Sequence, residues 1–256
     1  MDINNLTLIQ TIESNFYFTS GSQSHSWTIP SSVSTGSDYR IQFTIGAQSF
    51  NSSFFSINNT GSGTSGHSLS FDGSDNYVEV SVSETSLGTQ ATISTWIKSD
   101  DWNGEAAVID LYNSSNSNDQ RDIFTVKYHE SALKAMMRTS DGWYASAANE
   151  TYSTGQWYHV VIVRNGTTLK IYFNGSESGS NDMVSANNFI NHDRIRIGKS
   201  AVGENWDGLI DEVAIWNDAL TEMEVAALYN SGSPISASTD YLYYTSASDL
   251  IGYWPM

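Results

Sequence analysis

Residues 156–175 read QWYHVVIVRNGTTLKIYFNG. Asn165-Gly166 stands between two apolar runs. That dipeptide tolerates the positive φ values of a tight type I′ turn, whose twist matches that of paired strands. Leu169, Ile171 and Phe173 alternate with Lys170 and Tyr172, so one face of the second strand is a core face. Asn174-Gly175 ends that strand with another turn. The stretch predicts a β-hairpin, and its period of two is the key to the rest of the chain.

Outward from the hairpin the same pattern recurs. SLSFDG, NYVEVSV, ATISTWIK, AAVIDLYN, DIFTVKYH and ALKAMMRT precede it; DRIRIGK and GLIDEVAIWN follow. Short alternating runs at about 8–12 residue spacing predict an all-β sandwich. One helix is expected, in LTEMEVAALYNSG: Thr221 is the N-cap, Glu224 completes a capping box, and Gly232 is the stop. A lone short helix of this kind is expected to lie across the end of the sandwich. Nearer the start, TLIQTIES, SHSWTIP, YRIQFTIG and SFFSI read as strands, and NNTGSGTSGH reads as a linker. The expected division is a small β segment at 1–58 and a sandwich at 59–256.

Composition narrows the function. Lys and Arg total 11 against 28 Asp and Glu, a net charge of -17. Nucleic acid is therefore not an expected partner, because phosphate binding needs clustered cations. Anionic membrane surfaces are disfavoured for the same reason. Divalent cations are favoured. The chain has no cysteine, which removes disulfides, thiolate metal sites and cysteine nucleophiles. No run approaches the roughly 20 apolar residues of a membrane helix, so membrane insertion is not expected. MDINNLTLIQ has no basic start and no apolar core, and a secretion signal is not visible in it.

The motifs SLSFDGSDNYVEV, ATISTWIK, QWYHVVIVRNGTTLKIYFNG, IRIGKS and DGLIDEVAIWNDALTEMEVAALYNSG occur in order. Together, over about Ser65 to Ser233, they resemble the concanavalin-like jelly-roll domain of the laminin G and pentraxin type, common in bacterial surface proteins. The resemblance implies a lectin, an adhesion module, a hydrolase or a structural spacer, since the fold hosts all of these. Tandem copies of such domains begin with a strand like the one this chain carries at its end, LIGYWPM. That strand, at 249–256, is expected either to complete its own sandwich or to insert into a neighbouring molecule. Leu250, Ile251, Tyr253 and Trp254 are the candidate assembly residues. In the first segment Trp27, Pro30, Gly36, Tyr39 and Arg40 resemble part of an immunoglobulin-like domain of Ser/Thr-rich surface proteins.

The resemblance also implies a structural calcium ion held by oxygen donors. Asp72 and Asp75 in FDGSDNY, with Asp207 and Asp211 in DGLIDEV, are the candidate ligands. Asp72-Gly73 is equally a plain turn signature. Catalysis is not expected. The two-carboxylate glycosidase arrangement needs acids alternating on one strand, whereas Asp211 and Glu212 are adjacent and point to opposite faces. The histidines, His25, His67, His129, His159 and His192, are scattered, and His159 reads as a strand residue with a satisfied ring. For sugar stacking, the loop aromatics Trp102, Tyr112, Trp143, Tyr144 and Trp206 are the candidates, while Trp96, Trp157 and Trp216 read as core. The expected function is a non-catalytic extracellular binding or adhesion module of a bacterial surface protein, its partner a glycan or another surface protein. The alternative is a structural subunit of a filament or surface array, a homo-oligomer joined by terminal strand exchange. A glycoside hydrolase is the third reading.

Overall fold

The computed structural model describes residues 67–115 and 122–255, together with four short strands, β1 (Gly36–Tyr39), β2 (Gln42–Ile45), β3 (Gln48–Asn51) and β4 (Phe55–Ile57). Trp27, Pro30 and Arg40 lie outside the described residues, as does Met256.

The hairpin of 156–175 forms as β12 (Tyr158–Asn165) and β13 (Thr168–Phe173), with Val160 opposite Phe173 and Asn165 opposite Thr168. Its turn is set one residue later than expected. Asn165 still pairs in the ladder, and the central residues are Gly166 and Thr167. Gly166 takes φ 61°, whereas Thr167 stays out of the positive region. A glycine at the first central position is the type II′ signature, which replaces the type I′ turn expected of Asn-Gly.

The other strands are β5 (Leu69–Asp72), β6 (Val78–Thr85), β7 (Gln90–Ser99), β8 (Ala106–Tyr112), β9 (Asp122–His129), β10 (Ala132–Thr139), β11 (Gly142–Ala147), β14 (Ser176–Asn181), β15 (His192–Ile197), β16 (Asp207–Trp216) and β17 (Leu250–Trp254). They make two antiparallel sheets. One has nine strands in the order β1-β4-β5-β16-β7-β12-β13-β14, with β17 also on β16; the other has six, β11-β10-β9-β8-β15-β6. β4 pairs with β5 through Ser56–Ser70 and Ile57–Leu69, so the sheet crosses the expected boundary at 58. β2 and β3 form a separate hairpin.

Alternation fills two cores. Ile93, Ile97, Val160, Ile162, Leu169 and Ile171 of the nine-stranded sheet face Ile109, Leu111, Phe124, Val126 and Leu133 of the other sheet. The intervening residues of the same strands, Val161, Val163, Tyr172, Ala214 and Trp216, point outward and make a second apolar cluster. Helix α1 (Glu222–Tyr229) covers it with Val225 and Leu228, and the segment after the helix adds Ala237 and Tyr244. The helix therefore lies on a sheet face, not across the sandwich end. Its capping box is present: Glu224 N–H donates to Thr221 Oγ1 at 3.3 Å and Thr221 N–H to Glu224 Oε2 at 2.9 Å. The left-handed C-cap is Asn230, two residues before the expected glycine stop.

β16 is the organising strand. Gly208 has φ 133°, and a Cβ there would stand 2.1 Å from the Lys98 carbonyl oxygen, so only glycine lets β16 lie against β7 at this point. A bulge then interrupts the pairing between Asp211 and Ala214, with Glu212 at φ 49°. The extra residue keeps Ile210, Val213 and Ile215 all in the inner core. Before the bulge β16 pairs with β5, through Asp207 to Ile210; beyond it, Val213 to Trp216 pair with β17. Among the described residues no helix is long and apolar enough to cross a membrane.

Candidate functional site

The terminal strand docks on its own molecule. Val213–Trp254, Ala214–Tyr253, Ile215–Gly252 and Trp216–Leu250 are the paired positions. Trp254 packs on the inner core, while Leu250 and Tyr253 join the outer cluster. The Tyr253 hydroxyl donates to the Glu212 carboxylate at the bulge. Burial raises the Glu212 pKa, with the tyrosine hydrogen bond opposing it. Ile251 bulges out and stays half exposed. Within this single chain, LIGYW has a docking place on β16.

Most of the aromatic candidates are structural. Trp206 is 1% exposed, and its ring meets Trp102 edge-on at 5.6 Å. Trp102 stacks on Tyr152 at 4.8 Å and packs against the inner core. Tyr112 is buried: its hydroxyl donates to Glu79 Oε2 at 2.7 Å, and the Arg196 guanidinium lies 4.7 Å above its ring. Buried in this way, Tyr112 and Trp206 have no face open to a sugar, which corrects the expectation for those two, while Trp102 is part-buried among neighbouring rings. The cause is local packing: Trp102 and Trp206 form a cluster of rings with Tyr128, Tyr152 and Tyr158, and Tyr112 is covered by the Arg196 guanidinium. Tyr144 is part-buried against the inner core.

Trp143 differs. It lies on β11, the edge of the six-stranded sheet, directly opposite Arg138 of β10, and it is 43% exposed. Directly opposed residues share a face, so ring and guanidinium are neighbours. Arg138 Nε is buried and has no hydrogen-bond partner among the described residues. The other cations on this sheet are engaged. Lys127 pairs with Glu204 at 2.9 Å, Lys134 with Glu130, and Arg196 with Glu79 at 2.6 Å.

The acidic candidates do not converge on a cation. Asp72 Oδ1 accepts from Ser74 N–H at 2.9 Å, which is the plain turn reading. Asp211 Oδ1 accepts from Glu212 N–H at 2.7 Å at the bulge. Asp207 stands opposite Asp72 across the ladder, and burial, then Asp100, Asp101 and Asp72, raise its pKa. Among the described residues no group of three or more His, Asp or Glu is placed to hold a metal ion. Of the four candidate ligands, the ladder brings Asp72 and Asp207 side by side, while Asp211 lies further along β16 at the bulge.

His159 is fully engaged in packing. Its Nε2 meets Ser94 Oγ at 2.9 Å, and its ring lies 5.1 Å from Trp96 and 6.0 Å from Tyr229. Nδ1 has no partner among the described residues, so there only half of the expected satisfaction is met. Burial pushes its pKa down to about 3. Ser94 and His159 are both buried beneath Leu228 and the segment after the helix.

One concave feature escaped the sequence. Between the β12–β13 hairpin and the start of α1 lies a groove of about 220 Å³. Val163, Tyr172 and Leu220 line it with apolar surface, and Asn165, Thr168 and Lys170 line it with polar groups. Lys170 Nζ reaches Glu177 at 2.6 Å and Glu222 at 3.2 Å.

This geometry has known counterparts. A heptameric SAP-like pentraxin from Limulus polyphemus superposes with a TM-score of 0.52 at 20% identity, over 63% of this chain and 81% of the pentraxin. The ligand-binding domain of botulinum neurotoxin serotype D, solved with N-acetylneuraminic acid, gives 0.52 at 17% identity, over 64% of this chain and 42% of that one. A putative carbohydrate-binding protein from Bacteroides ovatus gives 0.52 at 16%, over 73% and 50%. At these identities the likeness is one of fold. A comparison with curated proteins finds no match. Residues 72–226, more than half of the sequence, match the family model that spans β5 to α1. The chain belongs to the concanavalin A-like lectin/glucanases superfamily.

Proposed function

We propose that this chain is a non-catalytic, extracellular binding module that recognises carbohydrate through the Trp143 edge of its six-stranded sheet. The observation that carries this reading is a 43% exposed indole on an edge strand, directly opposite Arg138 in the ladder. An open ring face stacks on the C–H face of a pyranose, and the guanidinium supplies donors in a fixed plane beside it. Two structural neighbours support the ligand class by what they are: the neurotoxin domain holds N-acetylneuraminic acid, and the Bacteroides protein is described as carbohydrate-binding. The extracellular setting rests on the resemblance to surface-protein modules.

A glycan array with the intact chain and with Trp143→Ala tests it. Binding to a defined set of glycans, lost in the variant while the melting temperature holds, is the expected result. Blank arrays, or binding indifferent to Trp143, would overturn the reading.

A further inference from the structure

The chain contains three Asn-Gly pairs, Asn103-Gly104, Asn165-Gly166 and Asn174-Gly175. Glycine has no Cβ to shield its backbone nitrogen. That nitrogen can therefore reach Cγ of the preceding asparagine and close a five-membered ring. The reaction needs a nitrogen not held in a hydrogen bond, a side-chain amide able to turn towards it, and space around both. The fold treats the three pairs differently on each count.

Two pairs are locked. Asn165 is paired on both sides, opposite Thr168 of β13 and Gln90 of β7, and Gly166 N–H donates to the Thr89 carbonyl at 2.9 Å. Asn174 Oδ1 accepts from His159 N–H at 2.9 Å, and Asn174 N–H donates to the His159 carbonyl at 2.8 Å. The Tyr229 ring lies against Gly175, where a Cβ would stand 2.8 Å from Tyr229 Cδ1. Asn103-Gly104, by contrast, is exposed in the connection between β7 and β8. Gly104 N–H has no acceptor among the described residues, and a Cβ on Gly104 would meet nothing within 4 Å. Asn103 is held only by its exposed neighbour Asp101, whose Oδ1 accepts from the Asn103 backbone N–H at 3.1 Å and from its side-chain amide.

We propose that Asn103-Gly104 is a self-modification site, where the chain converts asparagine to aspartate and isoaspartate with water as co-reactant. The Gly104 nitrogen, its proton taken by a solvent base, attacks Asn103 Cγ. The N–Cγ bond forms, the Cγ–Nδ2 bond breaks, and ammonia leaves. Water then opens the succinimide at one carbonyl to give aspartate, or at the other to give isoaspartate, whose main chain is longer by one methylene. The product sets a carboxylate beside Asp101 in place of an amide that donates to it, so attraction becomes repulsion. This chemistry is independent of what the Trp143 edge binds.

The test holds the folded chain at mildly alkaline pH and follows tryptic peptides 99–121, 165–170 and 171–194, each carrying one pair, by fragment-ion mass spectrometry. Asn103 should convert about tenfold faster or more than Asn165 and Asn174, because those two must first open locally. In urea the three rates should converge. Both aspartate and isoaspartate should form at Asn103. Gly104→Ala should slow the conversion, although φ at Gly104 is 76° and alanine is strained there. Asn103→Gln leaves that backbone unchanged and should stop the reaction, since its ring would need six members. Melting curves establish that each variant is folded. The proposal is overturned if Asn165 or Asn174 converts as fast as Asn103 in the folded chain, if Asn103 stays intact while the urea-unfolded chain reacts, or if aspartate forms without isoaspartate.

Discussion

The two outer faces of the sandwich are built on opposite principles. On the nine-stranded sheet the outward positions are Val161, Val163, Tyr172, Ala214 and Trp216, closed over by α1, Tyr244 and β17 into a second dry core. On the six-stranded sheet the outward positions carry charge, tied down in pairs such as Lys127–Glu204 and Arg196–Glu79. The first face gains from area removed from water. The second gains only what ion pairs leave after desolvation. The difference leaves Trp143, on the edge strand of the charged face, as a large open ring, whereas the rings of the apolar face, Tyr172, Trp216 and Tyr244, are covered.

The sharpest way to break this comparison is to open the dry face. Trp216 is fully buried, and its indole N–H donates to Tyr244 Oη at 2.9 Å, which in turn donates to the Ala237 carbonyl at 2.6 Å. Trp216→Ala leaves a large cavity and frees the segment after the helix, which is tied to Trp216 through Tyr244. A loss of about 3–5 kcal/mol is expected, read as a fall in the urea midpoint. A loss below about 1 kcal/mol would mean that the outer cluster is not a true core.

The charged face should respond differently to single and double substitution. Lys127 is 4% exposed and its partner Glu204 is part-buried. Burial raises the Glu204 pKa, but the hydrogen bond and charge of Lys127 outweigh it and hold the value low. Lys127→Met alone leaves that carboxylate without its cation and should cost up to about 3 kcal/mol. Adding Glu204→Gln should restore most of the loss, because an apolar and neutral pair needs no charge compensation. Equal losses in the single and double variants would show that the pair contributes net attraction, contrary to the contrast drawn between the faces.

What the sequence disclosed follows the same division. The period of two in 156–175 and in GLIDEVAIWN gave the strands and their inner face, and Thr221–Glu224 gave the helix start, because these signals are local. LIGYW was legible as a strand, but its acceptor was not, since pairing with β16 depends on β5 leaving the half beyond the bulge free. The bulge was also hidden: a strict alternation placed Asp211 and Glu212 on opposite faces, and one left-handed residue resets that phase. Trp143 and Trp206 have similar polar neighbours in sequence, yet one is open and the other is in the core. Their fates are set by the opposite sheet, which no local pattern encodes. The groove was missed for a related reason. Asn165, Thr168 and Lys170 read as a solvated strand face, and its wall comes from Leu220, some fifty residues later in the chain.

The smallest effect expected is also the most specific to the dry face. His159 sits on it, between Ser94, Trp96, Glu212 and Leu228. Burial depresses its pKa from the ordinary 6.5 to about 3. Below pH 6.5 the unfolded chain takes up a proton that the folded chain refuses, so stability falls as pH drops from there toward 3. The slope is about 1.4 kcal/mol per pH unit for one proton. Glu212 works in the opposite sense, because its pKa is raised by burial and the folded state gains on protonation at low pH. His192, also lowered by burial, adds a parallel slope that no change at His159 removes. The difference between the intact chain and His159→Gln isolates the one group. Glutamine can keep a hydrogen bond to Ser94 but does not titrate. The variant should be less stable at pH 7.5, where packing against Trp96 and Tyr229 is lost, and should close that gap as pH falls from 6.5 to 4.5 in urea titrations. A gap that stays constant over this range would mean that His159 is protonated in the folded state, and the face that covers it would then be open to water.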